Sequence, residues 1–559
     1  MNVGFSRFLG RGGPGLDSLA HVQNATVGVL KKRHTLQPYP GESGAASSVN
    51  PRELVKQWLA SSDVVVGPVY AFLPPLLRRL RNEMGDRPVP YVAFLLGCMP
   101  RGGVEHADQC FRTCDVLVAN CEADVALARK FWPNATVRCV PLAYDDAIFY
   151  PEDETAQRAV RASLGIGPDE KIVLYAGRVT LEKNVHTLLK VFSVVLNAVP
   201  DARLVIAGSE DSIPFVEFGV MPLDIRRCLR RLMTHLGLDE RHVIFAGHRT
   251  RDDLRALYST AHVLVNLTLH HDENFGLAQV EAMACGVPIV GTTWGGLKDT
   301  VTQNVTGKQV PAVVTATGVK VDWWRAANSI VQLLTTDASN QQLRERCRAV
   351  ARDRYSMARY GDALDEAVRD AAAAARRPSE PIRQSAFAEE FWATCIGEPQ
   401  GLKLGTFGRR FYRQGPESLR LYRELITPFA GAPMDPVRPD AECAWCLAAP
   451  LVFEEDDTLS VNDPLYPFEV PVPKHVLDDV RTLVNQFTLQ PVMAHGSLEA
   501  ATSAAAEAFV WMQEMGLVIR TCRGTLDTAG AGRLVGAPSF EMRQIDSDTD
   551  IVWFSRSAT

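Results

Sequence analysis

The chain has 559 residues, 46% of them apolar and 22% charged, a composition that suits a soluble globular protein with room for two to four domains. Its formal net charge of −6 argues against a general nucleic-acid binder. Twelve cysteines without a disulfide-framework spacing point to a reducing compartment, and no apolar run is long enough for a transmembrane helix, Tyr91–Met99 being far too short.

The N-terminal stretch MNVGFSRFLGRGG lacks the long apolar core of a signal peptide, so the expected location is cytoplasmic and the sequons at Asn24, Asn134, Asn266 and Asn304 read as incidental. Val3–Phe8 reads as a first strand. Gly10, Gly12, Gly13 and Gly15 follow, then a helix-like stretch from Leu16. Such a loop brings backbone close to a phosphate or a sugar, or is an ordinary flexible turn. Further strands are expected at Ala25–Leu30, Asp63–Val66, Tyr91–Leu96 and Asp115–Ala119. Helical stretches at Pro51–Ala60, Leu73–Met84, His106–Thr113 and Glu122–Phe131 intervene, and that alternation implies a parallel sheet covered on both faces. Arg78, Arg79 and Arg81 among Leu76, Leu77 and Leu80 form a basic amphipathic face. It reads as a solvated surface helix, with peripheral contact to anionic lipid as the alternative. His106, Cys110 and Cys114 would share one helix face; three candidates without a fourth make a poor metal site, so two buried thiols and a histidine is the simpler reading.

A second series of elements opens with the buried strand Lys171–Ala176. Gly177-Arg178-x4-Lys183 follows, then a helix with Leu188, Leu189, Phe192 and Val195 on its buried side. Arg and Lys in a strand-to-helix loop balance two phosphate charges without metal, or are plain surface charges. Arg203–Ala207, Val243–Ala246 and Val263–Leu269 continue the sheet. Leu277–Cys285 is apolar almost all round and reads as a buried helix, stopped by Gly286 and Pro288 before a strand from Ile289. Two carboxylates stand out here. Glu273 lies in the loop and Glu281 on the apolar helix, where a charge needs donors. Those donors are a nearby Arg, or the hydroxyls of a sugar or ribose. Helices at Asp322–Thr335 and Tyr355–Asp370 complete the series.

The pattern Glu273-x-Phe275-Gly276-x4-Glu281-Ala-Met-Ala-x-Gly286-Val-Pro288 resembles the signature of the large retaining glycosyltransferase family four, of GT-B fold. The resemblance covers roughly residues 1–370. It implies an α/β fold of two Rossmann-like domains facing across a cleft: residues 1–151 on the acceptor side, and 152–370 holding the donor, with the last helix crossing back. Val140–Pro151 is similar to the family's inter-domain segment, with Leu142-Ala143 in place of its Asn-Gly. By the same resemblance Arg178 and Lys183 grip the donor pyrophosphate, Glu273 contacts the donor sugar and Glu281 the ribose. Asn274, Phe275, Gly276 and Leu277 complete the donor loop, and Gly247-His248-Arg249 sits where relatives seat the base. Gly295-Gly296 faces the phosphates, and Gly12 and Gly13 belong to the family's glycine-rich loop. The implied substrate is a UDP- or GDP-linked sugar, with no cofactor and no metal, and an acceptor that the sequence does not identify. One departure stands out: Leu96 occupies the place where many relatives carry a histidine near the donor sugar.

Beyond residue 370, AAAAARRPSEP reads as a linker over 371–385. Residues 386–559 resemble no family. His475–Phe487 and Ala501–Met515 read as helices and Leu517–Thr521 as a strand, an α+β extension with a winged-helix-like order and a candidate protein-partner module. Cys443-Ala-Trp-Cys446 lacks a second pair for zinc, and Asp546-Ser-Asp548-Thr-Asp550 reads as solvated acids. The expected activity is transfer of a hexose-like sugar with retention. The alternatives are a GT-B hydrolase or epimerase of the nucleotide sugar, and a non-catalytic scaffold whose extension binds a partner.

Overall fold

The computed structural model describes residues 1–8, 17–40, 50–69, 75–85, 88–96, 110–180, 183–210, 225–269, 273–315, 318–393, 424, 443–447, 451–453, 457–461, 468–486, 492–493, 503–515, 517–522, 540–546 and 551–556. The first domain runs β1 (Asn2–Phe5), α1 (Asp17–Arg33), β2 (Thr35–Pro38), α2 (Pro51–Ser61), β3 (Val64–Pro68), α3 (Pro75–Glu83), β4 (Tyr91–Phe94), β5 (Val116–Ala119), α4 (Glu122–Phe131) and β6 (Thr136–Cys139). Its six strands are all parallel, in the order β2-β1-β3-β4-β5-β6. The inner strands β3, β4 and β5 are wholly buried, as continuous apolar runs covered on both faces must be.

Three expectations for this domain are corrected. Ala25–Leu30 is not a strand but the second half of α1. Its β-branched residues suit a strand, yet the buried set Val22, Ala25, Thr26, Val29 and Leu30 repeats every three to four residues, and that period wins. The true second strand, β2, is a half-exposed edge strand and carries no apolar run. Cys110–Thr113 is not helical. Arg112 pairs instead with Pro381 in an isolated bridge, while Cys110 and Cys114 are buried thiols and His106 lies outside the described residues. Arg81 does not belong to a basic face. It is 2% exposed, pairs with Asp115, and donates to the carbonyls of Val89 at 2.9 Å and Cys110 at 2.7 Å.

The second domain runs α5 (Glu154–Ser163), β7 (Lys171–Ala176), α6 (Val185–Ala198), β8 (Ala202–Ala207), α7 (Ile225–His235), β9 (Val243–Gly247), α8 (Arg251–Thr260), β10 (Val263–Asn266), α9 (Leu277–Ala284), β11 (Ile289–Thr292), α10 (Leu297–Thr300), β12 (Gly307–Val310), the hairpin β13 (Ala312–Thr315) and β14 (Gly318–Val321), α11 (Trp323–Thr335) and α12 (Asp337–Tyr355). Its sheet is again parallel, in the order β12-β11-β10-β7-β8-β9. Two Rossmann-like units therefore stand in series, the GT-B architecture that the resemblance implies. The next helix, α13 (Met357–Ala374), returns to the first domain and packs on α1 and on β3–β5. The hydroxyls of Thr26 and Tyr360 lie 2.6 Å apart, Arg33 pairs with Asp362 at 2.6 Å, and His34 meets Asp365 at 2.9 Å.

The segment expected as a linker is docked. Residues 371–374 complete α13, and Ser379–Ser385 run along the first domain. Thr113 N–H donates to Glu380 O at 2.8 Å, Ile382 N–H to Phe111 O at 3.1 Å, and Ser385 N–H to Phe131 O at 2.9 Å. Then α14 (Ala386–Phe391) and Trp392 stack Phe387, Phe391 and Trp392 around Phe131, with centroids 5.0–5.6 Å apart. Small and proline-rich composition reads as flexible, but here the backbone finds its partners on the turns of another unit.

Farther on, the described elements are β15 (Cys443–Leu447), β16 (Leu451–Phe453), β17 (Thr458–Val461), β18 (Phe468–Pro471), α15 (Leu477–Gln486), β19 (Val492–Met493), α16 (Ser503–Glu514), β20 (Val518–Cys522), β21 (Phe540–Asp546) and β22 (Ile551–Arg556). A separate core forms where Val480 and Leu483 of α15 and Phe509 and Met512 of α16 meet Leu459, Leu517 and Val518. The two helices and the strand after them match expectation. The antiparallel sheets β19-β15-β20 and β16-β17-β18 were not foreseen, and Cys443 and Cys446 lie within one of their strands. Residues 547–550 lie outside the described residues. Among the described residues, no helix is long and apolar enough to cross a membrane.

Cutting the chain after Arg377 removes Ile382, Phe391 and Trp392, each largely buried. At about 1.5–3 kcal/mol per buried side chain, the loss is several kcal/mol. A chain ending at Ala393 is expected to melt well above one ending at Arg377 in calorimetry. Equal melting temperatures would show that the docked segment adds nothing to the core.

Candidate active site

In the second sheet β7, β8 and β9 succeed one another in one direction, and β10 is then laid on the other side of β7. Loops leaving adjacent strands at such a reversal diverge to opposite faces and open a crevice at the carboxyl edge. The loops leaving β7 and β10 are the two that carry the predicted charges. Lys183 Nζ and Glu273 Oε2 meet at 2.6 Å. Asn184 ties the loops together, donating from Nδ2 to Leu267 O at 2.9 Å, and it adopts the left-handed φ of 58° that asparagine tolerates. The hydroxyls of Thr180 and Thr268 and Asn184 Oδ1 are buried with no hydrogen-bond partner among the described residues. Buried polar atoms call for partners, and ordered water is one that would satisfy these three. Arg178 is half-buried at the head of the first loop, its carbonyl accepting from Tyr175 Oη at 2.7 Å.

The second loop is held tightly. Gly296 N–H donates to Glu273 O at 2.8 Å, and a Cβ at Gly296 would lie 2.3 Å from Phe275 Cα, so no other residue fits there. Phe275 is buried edge-on to Tyr355, with centroids 5.6 Å apart. Gly276 caps α9 at a φ of 89° with no side chain to offer, Gln279 N–H donates to Gly276 O at 3.0 Å, and a helix N-terminus of this kind suits an anion. At the other end Val287 N–H donates to Ala282 O and Gly286 N–H to Met283 O, a Schellman closure with Gly286 at a φ of 85°.

Glu281 is 8% exposed on α9, and Tyr258 Oη on α8 donates to its Oε2 at 3.2 Å. Burial raises its carboxyl to about 7, with the nearby Arg251 acting against that rise. Among the described residues, Glu281 forms no ion pair with an Arg. Arg251 pairs instead with Asp145 of the inter-domain segment at 3.0 Å and lies over the Phe149 ring, 5.1 Å from its centroid. His21 of α1 stands beside that pair, 3.0 Å from Ala143 O, and burial holds its imidazole below the ordinary value. A run of polar groups thus leads from Glu281 to the first domain.

Gly247 and Arg249 lie at the carboxyl end of β9, on the same edge of the sheet. Gly247 has a φ of 69°, and Arg249 Nε is buried without a partner among the described residues. Asn274 reaches out of the crevice to the first domain, where Nδ2 donates to Asn120 Oδ1 at 3.2 Å. Leu96 closes β4 at a φ of 51°, a left-handed backbone that costs a residue of its shape about 1–3 kcal/mol. Gly12, Gly13 and Asp272 lie outside the described residues. Sequence reasoning missed Tyr258, Arg251, Asn120 and His21, whose roles arise from contacts between distant segments. Only Tyr258 and Arg251, seven apart on one helix face, left a trace in the sequence. Among the described residues, no group of three or more His, Cys, Asp or Glu is placed to hold a metal ion.

Residues 156–354 match the family model described as Glycosyl transferases group 1. Among curated proteins, the chain is 29% identical over 196 residues to mannosylfructose-phosphate synthase of Agrobacterium fabrum, covering 35% of this chain and 41% of that protein. It is 30% identical over 227 residues to the D-inositol 3-phosphate glycosyltransferase of Corynebacterium urealyticum, covering 40% and 49%. The chain thus spans less than half the length of these two relatives. Among solved structures, sucrose-phosphate synthase of Thermosynechococcus elongatus is 19% identical with a TM-score of 0.49, covering 67% of this chain and 99% of that one. Anabaena Alr3699/HepE, solved with UDP and glucose, is 18% identical with a TM-score of 0.46, covering 66% and 98%.

The buried acid sets a pH dependence. Below its ordinary value of 4.5, Glu281 is protonated in folded and unfolded chains alike. From there up to about 7 the unfolded chain releases the proton and the folded one keeps it, so stability falls as pH rises and then levels off. Glu281→Gln removes that penalty. It is expected to match the parent near pH 4.5 and to exceed it at pH 8 by on the order of 2–3 kcal/mol, read by denaturant melts without ligand. A mutant less stable than the parent at pH 8 would mean that Arg251 depends on the Glu281 charge.

Proposed function

We propose that this chain, whose residues 156–354 belong to the group 1 glycosyl transferases, moves a sugar from a nucleoside-diphosphate donor to an acceptor hydroxyl, with the donor seated in the crevice between β7 and β10. One observation carries the reading: Lys183 and Glu273, 90 residues apart, converge at 2.6 Å over the strand-order reversal. The pair supplies a cation for phosphate and a carboxylate for sugar hydroxyls. On donor binding, Lys183 exchanges Glu273 for the diphosphate and Glu273 turns to the sugar. Departure of a nucleoside diphosphate concentrates negative charge, which Arg178, Lys183 and the N-terminus of α9 stabilise in the transition state. Two cations and a partial charge of about half a unit suffice for a diphosphate without a metal ion. Glu281, with one donor from Tyr258, accepts from the ribose hydroxyls, and Gly247–Arg249 receive a uracil or guanine base. Gly12 and Gly13, which lie outside the described residues, are assigned to the donor by the family resemblance alone, and the first domain takes the acceptor. The anomeric configuration is retained, and closure of the cleft excludes water.

Product analysis with UDP- and GDP-linked sugars separates transfer from hydrolysis: transfer leaves the sugar on an added acceptor, hydrolysis leaves it free. Turnover is expected to persist in excess chelator, and Arg178→Ala and Lys183→Ala are each expected to lower it on the order of 100–1000-fold, the scale for one preorganised oxyanion donor. Loss of activity in chelator restored by manganese, with both alanine variants active, would overturn the assignment.

A further inference from the structure

The turn leaving β5 belongs to the first domain, yet it grips the loop that carries Glu273. Asn120 is buried at the carboxyl end of β5. Its Nδ2 donates to Val140 O at 2.9 Å, which fixes the orientation of the amide and presents Oδ1 to the cleft. That oxygen accepts from Asn274 Nδ2 at 3.2 Å. Two residues on, Glu122 N–H donates to Asp299 Oδ2 at 2.7 Å. Asp299 lies on α10, and Gly296 at the head of α10 is the group that donates to Glu273 O at 2.8 Å. Tyr355 closes the assembly, donating to Asp299 O at 3.1 Å while its ring packs on Phe275. The first domain therefore holds the loop directly at Asn274 and, through α10, at Glu273.

We propose that the turn Asn120–Glu122 is a latch between the domains and that Asn120 is a positioning residue, which sets Glu273 in place only when the first domain is docked. The proposal rests on the reading of 273–276 as the donor-sugar loop. The chemistry fits a contact that must open and close. An amide-to-amide hydrogen bond exchanges readily for water, so its net contribution is small and release in each cycle is easy. The Val140 anchor keeps the acceptor preorganised while the cleft is open. With Lys183 drawing the carboxylate from one side and the latch fixing the backbone from the other, binding of donor and docking of the domains act on the same side chain.

The test uses the full chain and the variants Asn120→Ala, Asn274→Ala and the double. Without ligand, amide exchange over 273–277 is expected to rise threefold or more in each single variant and no further in the double, with exchange over 282–287 unchanged; the melting temperature is expected to hold in Asn274→Ala and to fall by a few degrees in Asn120→Ala, which also loses the Val140 bond. Coupling of that kind separates the Asn120–Asn274 bond from two unrelated losses. With a sugar nucleotide that the parent turns over, kcat is expected to fall several-fold while the donor KM changes less than threefold. Unchanged loop exchange in either single variant, or losses that add in the double, would overturn the latch. UDP and GDP are titrated into the parent as a separate arm. Failure of both to bind counts against the donor-loop reading, while the exchange data still decide whether the two domains are coupled at Asn120.

Discussion

The reversal of strand order between β7 and β10 is the constraint on which the site depends. Neighbouring parallel strands lie about 4.8 Å apart, so the loops that leave them can share a ligand. Had β10 been added beyond β9, three strand spacings, roughly 14 Å, would separate Lys183 from Glu273. The reversal instead brings them to 2.6 Å. The side chains keep 22% and 12% exposure, so the pair is accessible at its edge, and a ligand that takes it apart must supply partners for both charges. The scaffold around it is stiff. Asn184 bonds one loop to the other, and Gly296 lies against Phe275 with no space for a side chain.

The two domains meet through polar contacts as well as apolar ones. Arg251–Asp145 and the neighbouring His21 link α8, the inter-domain segment and α1. Glu281 lies near Arg251 without an ion pair to it, which leaves a buried acid with Tyr258 as its donor. At the far end α13 lies across the first sheet, and the segment to Trp392 wraps Phe131. The packing of α13 on α1 and on β3–β5 therefore ties the two halves of the chain together at this end.

Much of this was legible in the residues. The helix α9 emerged because Gly286 and Pro288 punctuate an apolar run, and Glu281 stood out because a lone acid there needs a partner. Its partner Tyr258 did not stand out, since a contact between α8 and α9 leaves no local pattern. Edge strands were lost for a related reason: β2 is half-exposed and lacks the apolar run that marks β3 to β5. Ala25–Leu30 misled because composition favoured a strand while the burial period was helical. Ser379–Ser385 misled because its docking relies on backbone hydrogen bonds, which composition does not show.

The central claim is that the crevice between β7 and β10 binds a nucleoside-diphosphate sugar. A thermal-shift panel of such sugars on the full chain tests it most directly. A binder at 100 times its dissociation constant stabilises the folded chain by about 2.7 kcal/mol, a shift of a few degrees that Lys183→Ala should abolish. No shift with any member of a panel spanning UDP- and GDP-linked sugars, or a shift that survives Lys183→Ala undiminished, would contradict it.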